Sequence, residues 1–212
     1  MLFPVFGGAR EAARRARCQS NLRQIGDAFS LYLSDWSSVY PDTNDPYLWM
    51  GRRWRWPLGR YLAMTAHRDP AAPDDPYKSV GNTGGVLICP SDPYARQKWD
   101  ATSYGYSAAF YHPPEHINSM RAAQLWDPSD PAPPCSPQPT SEVTYPSRKA
   151  LAADWLSSHS EDKVGWWSWL GSRNYLFADG HVRHLAASCI RPAVDGFPDI
   201  NLTHDGIRGR DI

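Results

Sequence analysis

The feature that most constrains the fold is the stretch of residues 5–36, the only long segment of the chain with helical periodicity. Apolar side chains recur along its second half, mostly at intervals of three and four residues, at Cys18, Leu22, Ile25, Phe29, Tyr32, Leu33 and Trp36. This spacing places them along one side of an α-helix and leaves the polar residues on the other faces. The pattern predicts one long amphipathic helix that packs against the rest of the chain.

The first half of the same helix has a different composition. Alanines alternate there with Arg10, Arg14, Arg15 and Arg17, and Glu11 is the one acidic residue, so the local charge is +3 (4 − 1). We call residues 10–17 the arginine collar. Small and charged side chains have little apolar surface to bury, so we expect this half-helix to project from the body or to pack against partners with small residues.

Composition excludes some classes of function. The chain has 212 residues, enough for one domain with a core or for one domain with an appended helix. Its 22 acidic residues balance 22 lysines and arginines, so no overall field attracts nucleic acid. The 20 prolines favour loops and edge strands, and the 10 tryptophans suit a loop-rich body or a surface that stacks on sugars.

The remainder of the chain reads as short strands and turns. We predict strands at residues 86–93, ended by a turn at Pro90, and at residues 103–110. A third strand is predicted within residues 143–155, with Asp154 at its end. Residues 174–185 predict a β-hairpin with a two-residue Asp-Gly turn.

Proline-rich residues 111–146 predict a long excursion that carries one short helix at residues 115–125. Two prolines separate His112 from Glu115 and His116, and they prevent the helical turn that a zinc protease motif requires. Residues 65–85 are polar and lack periodicity, so we predict a surface loop.

Three short sequence segments resemble signatures of one known family. The sequence from LFPVF onward is similar to the segment that follows the hydrophobic leader in type IV pilin-like proteins. It is most similar to pseudopilins with a prepilin N-terminal methylation motif and an H-X9-DG domain. The signature residues are Cys18, Ser20, Asn21, Leu22, Gln24, Ile25 and Gly26 near the N-terminus; Cys89, Pro90, Ser91, Asp92 and Pro93 in the middle; and Asn174, Phe177, Asp179, Gly180 and His181 near the C-terminus.

The chain departs from the family pattern at two positions. Ser107 stands where an asparagine is usual, and Trp169 stands where the histidine that names the H-X9-DG motif would be. The second departure removes any role that requires that imidazole and leaves the predicted hairpin intact.

The resemblance implies a pilin-like α+β fold, in which a long N-terminal helix packs on an antiparallel sheet that Pro-rich loops cover. Residues 1–36 would be the lower part of a stem and residues 37–212 a globular head. Family members begin with a leader, a processing site and about 20 apolar residues. We therefore expect that this sequence begins inside the helix, and that the coding sequence upstream of it encodes the missing apolar segment.

The implied function is that of a structural pseudopilin in a type II secretion or type IV pilus-like assembly, without catalysis. Its partners would be other pilin-like subunits, bound through the helix, and a membrane, bound through the upstream apolar segment; nucleic acid is not expected. The head would lie outside the cytoplasm, anchored in the inner membrane or assembled in a pseudopilus at the cell surface. The sequence as printed lacks an apolar run of sufficient length and by itself predicts a soluble protein.

The four cysteines, Cys18, Cys89, Cys135 and Cys189, contain no C-x-x-C pair, so a zinc ribbon is not expected. Three pairings into two disulfides are possible. The resemblance favours Cys18 with Cys89, because both lie in family signatures. Residues close to Cys89 in sequence supply no base that would make it a nucleophile.

The sequence also permits two other functional interpretations, each from a different class of protein. A secreted carbohydrate-binding module could present an exposed row among Trp49, Trp54, Trp56, Trp166, Trp167 and Trp169. A metal-dependent hydrolase could use Asp154, Asp179 and His181. Together with His159 and His184 these residues could hold a divalent ion, and the resemblance makes calcium possible, since some pilin-like subunits hold calcium near the C-terminus. The competing explanation is that Asp179 and His181 only stabilise a turn. The reading we favour has no cofactor.

Overall fold

A computed structural model describes residues 3–43, 52–62, 85–95 and 102–212. Trp49 and nearly all of the loop predicted at residues 65–85 lie outside these ranges. The N-terminal helix α1 spans Phe3–Asp35, and a short helix α2 spans Pro114–Ser119. The strands are β1 (Tyr104–Tyr106), β2 (Ala150–Asp154), β3 (Ser172–Phe177) and β4 (Val182–Ala186).

The four strands form one antiparallel sheet in the order β1-β2-β3-β4. Together with α1 they give the predicted α+β class, in which a long N-terminal helix packs on an antiparallel sheet. The division into a stem of residues 1–36 and a head of residues 37–212 stays a prediction.

The apolar stripe of α1 faces the sheet, as its periodicity predicts. Cys18, Leu22, Ile25, Phe29 and Tyr32 are all buried, and they share a core with apolar residues of the first three strands. Full burial of each large side chain in this stripe contributes about 1.5–3 kcal/mol. The stripe therefore fixes the second half of α1 to the sheet.

Trp36 is an exception to the predicted stripe. The helix ends at Asp35, and Ser37 and Ser38 adopt positive φ angles that turn the chain away. Trp36 is consequently 56% exposed and stacks on Tyr32 with ring centroids 5.4 Å apart. Its inclusion in the buried stripe was wrong, because the periodicity was extended beyond the last helical residue.

The helix approaches the sheet closely at Gly26. A Cβ atom at this position would lie 3.0 Å from the Leu176 side chain on β3. The opposite face of the sheet carries a second core, formed mainly by Trp155, Trp166, Tyr175, Phe177 and Ile200. Strands β1, β2 and β3 are thus buried on both faces, whereas most of the edge strand β4 is partly or fully exposed.

The predicted β-hairpin is present as β3 and β4, but its loop differs from the prediction. The amide of Phe177 donates to the carbonyl of His181, which leaves a loop of three residues, 178–180. Gly180 alone in this loop has a positive φ, +88°. The loop is therefore a three-residue turn with glycine in the left-handed position rather than a two-residue Asp-Gly turn.

The strand predicted at residues 86–93 is wrong. These residues form turns, although Leu87, Ile88 and Cys89 are buried as the apolar run suggested. Side chains replace a strand partner here: Asn21 binds the carbonyl of Ile88, and the Ser103 hydroxyl accepts from the Cys89 amide. The Ser103 amide also donates to the Leu87 carbonyl, and residues 86–93 belong to no strand.

The helix predicted at residues 115–125 is shorter and broken. α2 ends at Ser119, and Met120 takes up an extended conformation with its side chain buried. A separate 3-10 turn follows at Ala122–Leu125. Burial of Met120 in the main core interrupts the helix. Likewise the strand predicted at residues 103–110 ends at Tyr106, and a 3-10 turn follows it.

Candidate functional site

The arginine collar is the largest feature of α1 that the core does not use. Residues 7–10 and 12–17 are exposed, Glu11 is partly buried, and burial begins abruptly at Cys18. The alanines and arginines of this half-helix are exposed, as their small size and their charge predicted. In the described part of the chain, no helix combines the length and the apolarity that a bilayer crossing requires.

Residues of the N-terminal and middle signatures meet where the collar joins the head. A disulfide links Cys18 to Cys89, with their Cα atoms 5.3 Å apart. The side-chain amide of Asn21 is buried and lies within hydrogen-bond distance of the Gly85 carbonyl (2.9 Å) and the Tyr104 hydroxyl (3.1 Å). The disulfide and Asn21 therefore attach α1 to residues 85–89 and to β1, and the pairing favoured by the resemblance is confirmed.

Glu11 adds a third attachment, seven residues or about two helical turns before Cys18. Its carboxylate accepts from the Ser91 hydroxyl at 2.8 Å and from Nδ1 of His159 at 2.6 Å. Burial alone would raise the pKa of Glu11, but these two hydrogen bonds lower it below its usual value. Glu11 is thus held as a carboxylate at the junction.

His159 connects Glu11 to the disulfide. Its side chain is fully buried, and its Nε2 atom lies 3.3 Å from Cys89 Sγ and 4.0 Å from Asp154 Oδ2. Burial lowers the pKa of His159, and the contact with Glu11 only partly offsets this effect. The imidazole is therefore neutral at neutral pH, with its proton on the nitrogen that faces Glu11.

Asp154 lies at the end of β2, as predicted. Among the described residues, only one of its two carboxylate oxygens accepts hydrogen bonds. Its Oδ2 accepts from the backbone amide of Asn174 at 2.9 Å and from the side-chain amide of Asn174 at 2.7 Å. The Asn174 oxygen in turn contacts Nδ1 of His184 at 3.0 Å. Asp154 Oδ1 is buried and has no hydrogen-bond partner among the described residues.

The burial of Asp154 leads to a prediction about pH. Burial raises the pKa of its carboxyl to about 7, although hydrogen bonds from Asn174 act in the opposite direction. Between about pH 4 and pH 7 the folded protein keeps a proton that the unfolded chain has lost, so this group makes stability fall as the pH rises. The penalty is complete above about pH 7 and absent below about pH 4.

We therefore expect Asp154→Asn to gain stability relative to the wild type as the pH rises across this window. The difference between the two free energies of unfolding, measured by urea titration, should change by a few kcal/mol between about pH 4 and pH 8. Curves that run parallel across this range would contradict the assignment of a raised pKa to Asp154.

The remaining predicted metal candidates do not join this site. Asp179 and His181 contact each other at the hairpin loop, with Oδ1 and Nδ1 2.6 Å apart, and the His181 ring stacks on Phe177. Asp154 contacts Asn174, three residues from the loop end of β3. Asp154, Asp179 and His181 therefore do not converge, and the geometry at the loop is that of turn stabilisation.

The proposed row of tryptophans is not one exposed surface. Trp54 and Trp166 are fully or almost fully buried in the two cores, and the indole of Trp54 donates to the Tyr104 carbonyl. Trp167 and Trp169 are exposed, and Trp56 is half-buried beneath the Arg55 guanidinium. Buried indoles cannot stack on a sugar, so Trp54 and Trp166 are excluded from such a role.

The sequence did not predict that His159 contacts Cys89. The residues that surround Cys89 in sequence contain no base, and His159 lies 70 residues away. It reaches the disulfide because residues 155–160 leave the end of β2 toward α1. The spacing of residues carries no signal for this contact, which depends on the packing of the helix against the sheet.

Comparison with known proteins identifies one family model. The model described as "Protein of unknown function (DUF1559)" matches residues 8–133, more than half of the chain. No curated protein matches the sequence, and no solved structure matches it. The matched residues include the collar, both cysteines of the disulfide and β1.

Proposed function

Because this chain belongs to the DUF1559 family, and because its signatures resemble those of pseudopilins, we propose that it is a structural pilin-like subunit. In this proposal α1 continues upstream into an apolar segment that anchors the subunit in the inner membrane and later packs among neighbouring subunits. The head, residues 37–212, lies outside the cytoplasm. The assembly is a type II secretion pseudopilus or a type IV pilus-like filament, and the subunit performs no catalysis.

The observation that carries the proposal is the division of one continuous helix at Cys18. Before that residue α1 presents exposed alanines and arginines, and after it α1 is part of the core. Alanine allows close approach of another helix, and arginines at a helix surface pair with acidic groups or with anionic lipids. The first half of α1 is therefore suited to contacts outside its own head.

The three attachments at the junction suit a subunit whose head has to keep a fixed orientation relative to α1. The disulfide at Cys18, the buried amide of Asn21 and the carboxylate of Glu11 lie along the same side of the helix. They oppose rotation or sliding of α1 against the sheet. A head held in this way keeps a fixed position relative to helices that pack around it.

The proposal predicts that charge reversal in the collar prevents assembly without unfolding the head. Two copies with different tags, expressed from the native locus, should co-purify from cell envelopes. Replacement of Arg10 and Arg15 together by glutamate should reduce this co-purification about tenfold or more, because like charges would face the partner or the membrane. Arg14 is kept, because it lies 3.7 Å from Glu11. Each arginine is exposed, so the free energy of unfolding should change by only about 0.5 kcal/mol per site.

The matched control is Arg183→Glu, which reverses an exposed arginine on β4. It should leave co-purification at the wild-type level. Equal loss in the control and in the collar variant, or no loss in either, would contradict a specific role for the collar.

A second candidate function is favoured by one cavity. A cavity of about 320 Å³ is lined by the exposed Trp126 and Trp167, with Asp195 and Asp199 beside them. Indole faces and carboxylates are groups that stack on sugar rings and accept from their hydroxyls. Binding on a glycan array that is lost in both Trp126→Ala and Trp167→Ala would support a carbohydrate-binding role, and absence of binding would dismiss it.

A further inference from the structure

Three potential metal ligands lie together in the junction between α1 and the head. The Sγ atoms of Cys18 and Cys89 and a ring nitrogen of His159 all lie within 4.8 Å of one another. Cys89 Sγ and His159 Nε2 are 3.3 Å apart. Two ligands on one ion with metal bonds of about 2.0–2.3 Å are separated by roughly this distance in a tetrahedral site.

The residues that would orient these ligands are already in place. His159 directs Nδ1 toward the Glu11 carboxylate at 2.6 Å, which leaves the lone pair of Nε2 on the side of the cysteines. Histidine ligands commonly donate the N–H of their other ring nitrogen to a carboxylate in this way. The contact fixes both the tautomer and the ring orientation. Ser91 in turn holds Glu11.

Asp154 lies beside His159 and has a carboxylate oxygen that could complete the site. Its Oδ2 lies 4.0 Å from His159 Nε2, while Oδ1 is buried and has no hydrogen-bond partner in the described ranges. The side-chain and backbone amides of Asn174 both bind Oδ2, so they leave Oδ1 available. A buried carboxylate oxygen without a partner is costly, and a cation would satisfy it.

We propose that the reduced form of this chain binds one zinc-like divalent ion through Cys18, Cys89, His159 and Asp154. The disulfide and the ion exclude each other, because each requires the same two sulfur atoms. A dithiol or phosphine reductant supplies two electrons, the S–S bond breaks, and two protons from solvent complete two thiols. When the ion binds, both thiols release their protons to solvent and coordinate as thiolates.

The junction would then hold α1 by a covalent bond in an oxidising compartment and by a metal ion in a reducing one. In both states Cys18 on the helix stays linked to Cys89 on the head. The inference is independent of the assembly role, since it concerns only the head and the residues of α1 that contact it.

The test uses Co²⁺ as a spectroscopic substitute for zinc. The chain of 212 residues carrying Cys135→Ser and Cys189→Ser retains only the two cysteines of interest, Cys18 and Cys89. It is reduced with a phosphine under mild denaturant, refolded without oxygen, freed of chelator and titrated with Co²⁺. We expect one ion per chain, with thiolate charge-transfer absorption and the intense visible bands of a tetrahedral site. The same protein with its disulfide intact should give neither.

Two variants separate a ligand from a positioning residue. His159→Ala removes a ligand and should abolish the tetrahedral spectrum. Glu11→Gln removes the charge behind His159, keeps the ligand set and should weaken Co²⁺ binding about 10–100-fold. Ser188→Ala, an exposed site near β4, serves as the control and should bind as the parent does.

Several outcomes would overturn the proposal. A reduced parent that is folded by circular dichroism and binds no stoichiometric Co²⁺ would do so, as would an unchanged spectrum in His159→Ala. A reduced parent that stays unfolded when Co²⁺ is added would also overturn it, because the four ligands are brought together only by the packing of α1 on the head.

Discussion

Replacement of Cys18 and Cys89 together by alanine is expected to lower the free energy of unfolding by about 4 kcal/mol. The disulfide closes a loop with a sequence separation of 71 residues, and a cross-link of that length removes a large amount of conformational entropy from the unfolded chain. Both cysteines are buried, so the lost packing of two sulfur atoms acts in the same direction.

Urea unfolding without reductant or metal measures this effect. Cys135→Ala and Cys189→Ala are the matched controls, because neither residue is in a disulfide and Cys189 is exposed. They should change stability far less than the double variant does. A loss below about 1 kcal/mol in the double variant would mean that the disulfide does not fasten α1 to the head.

The second large effect concerns a buried ion pair that fixes the C-terminal segment to β2. Lys149 has no exposed side-chain surface, and its ammonium lies 3.3 Å from Asp211 Oδ2. The Ala150 amide also donates to Asp211, at 2.7 Å. Lys149→Ala would leave the Asp211 carboxylate buried without its cation, and the expected cost is about 3–5 kcal/mol.

A double variant distinguishes loss of the charge pair from a general packing defect. Lys149→Met combined with Asp211→Asn removes both charges at similar volume, keeps a side-chain oxygen for the Ala150 amide, and should recover much of the stability lost in Lys149→Ala. Lys163→Ala, which removes an exposed lysine, should cost about 1 kcal/mol or less. If Lys149→Ala proved no worse than Lys163→Ala, the buried pair would not be the attachment that we describe.

The residue pattern of the sequence correctly predicted those elements that neighbouring residues determine. The spacing from Cys18 to Tyr32 defines the buried face of α1, and Gly180 marks the hairpin loop, because a helix face and a turn are each determined by a few neighbouring residues. The resemblance supplied the disulfide partner, which spacing alone left open among three pairings.

Contacts between distant segments could not be predicted in this way. The apolar run at residues 86–93 indicated burial correctly and a strand wrongly. The side chains of Asn21 and Ser103 bond the Ile88 carbonyl and the Cys89 amide, where a neighbouring strand would otherwise do so. His159 contacts Glu11 although the two residues are 148 positions apart in the sequence. Both errors arise from tertiary packing, which overrides local propensity and leaves no periodic trace in the sequence.

The assembly account rests on the exposed first half of α1 contacting other subunits, and site-specific photo-crosslinking tests this directly. A benzophenone amino acid replaces Ala13 in the collar of the protein expressed from its native locus, and in a matched sample it replaces Ser129, an exposed residue of the Pro-rich segment. On illumination of intact cells, the account predicts a covalent dimer of this chain, or a covalent adduct with another pilin-like subunit, from position 13 and much less from position 129. Equal yields from the two positions, or no adduct from position 13 in cells that contain the protein, would contradict it.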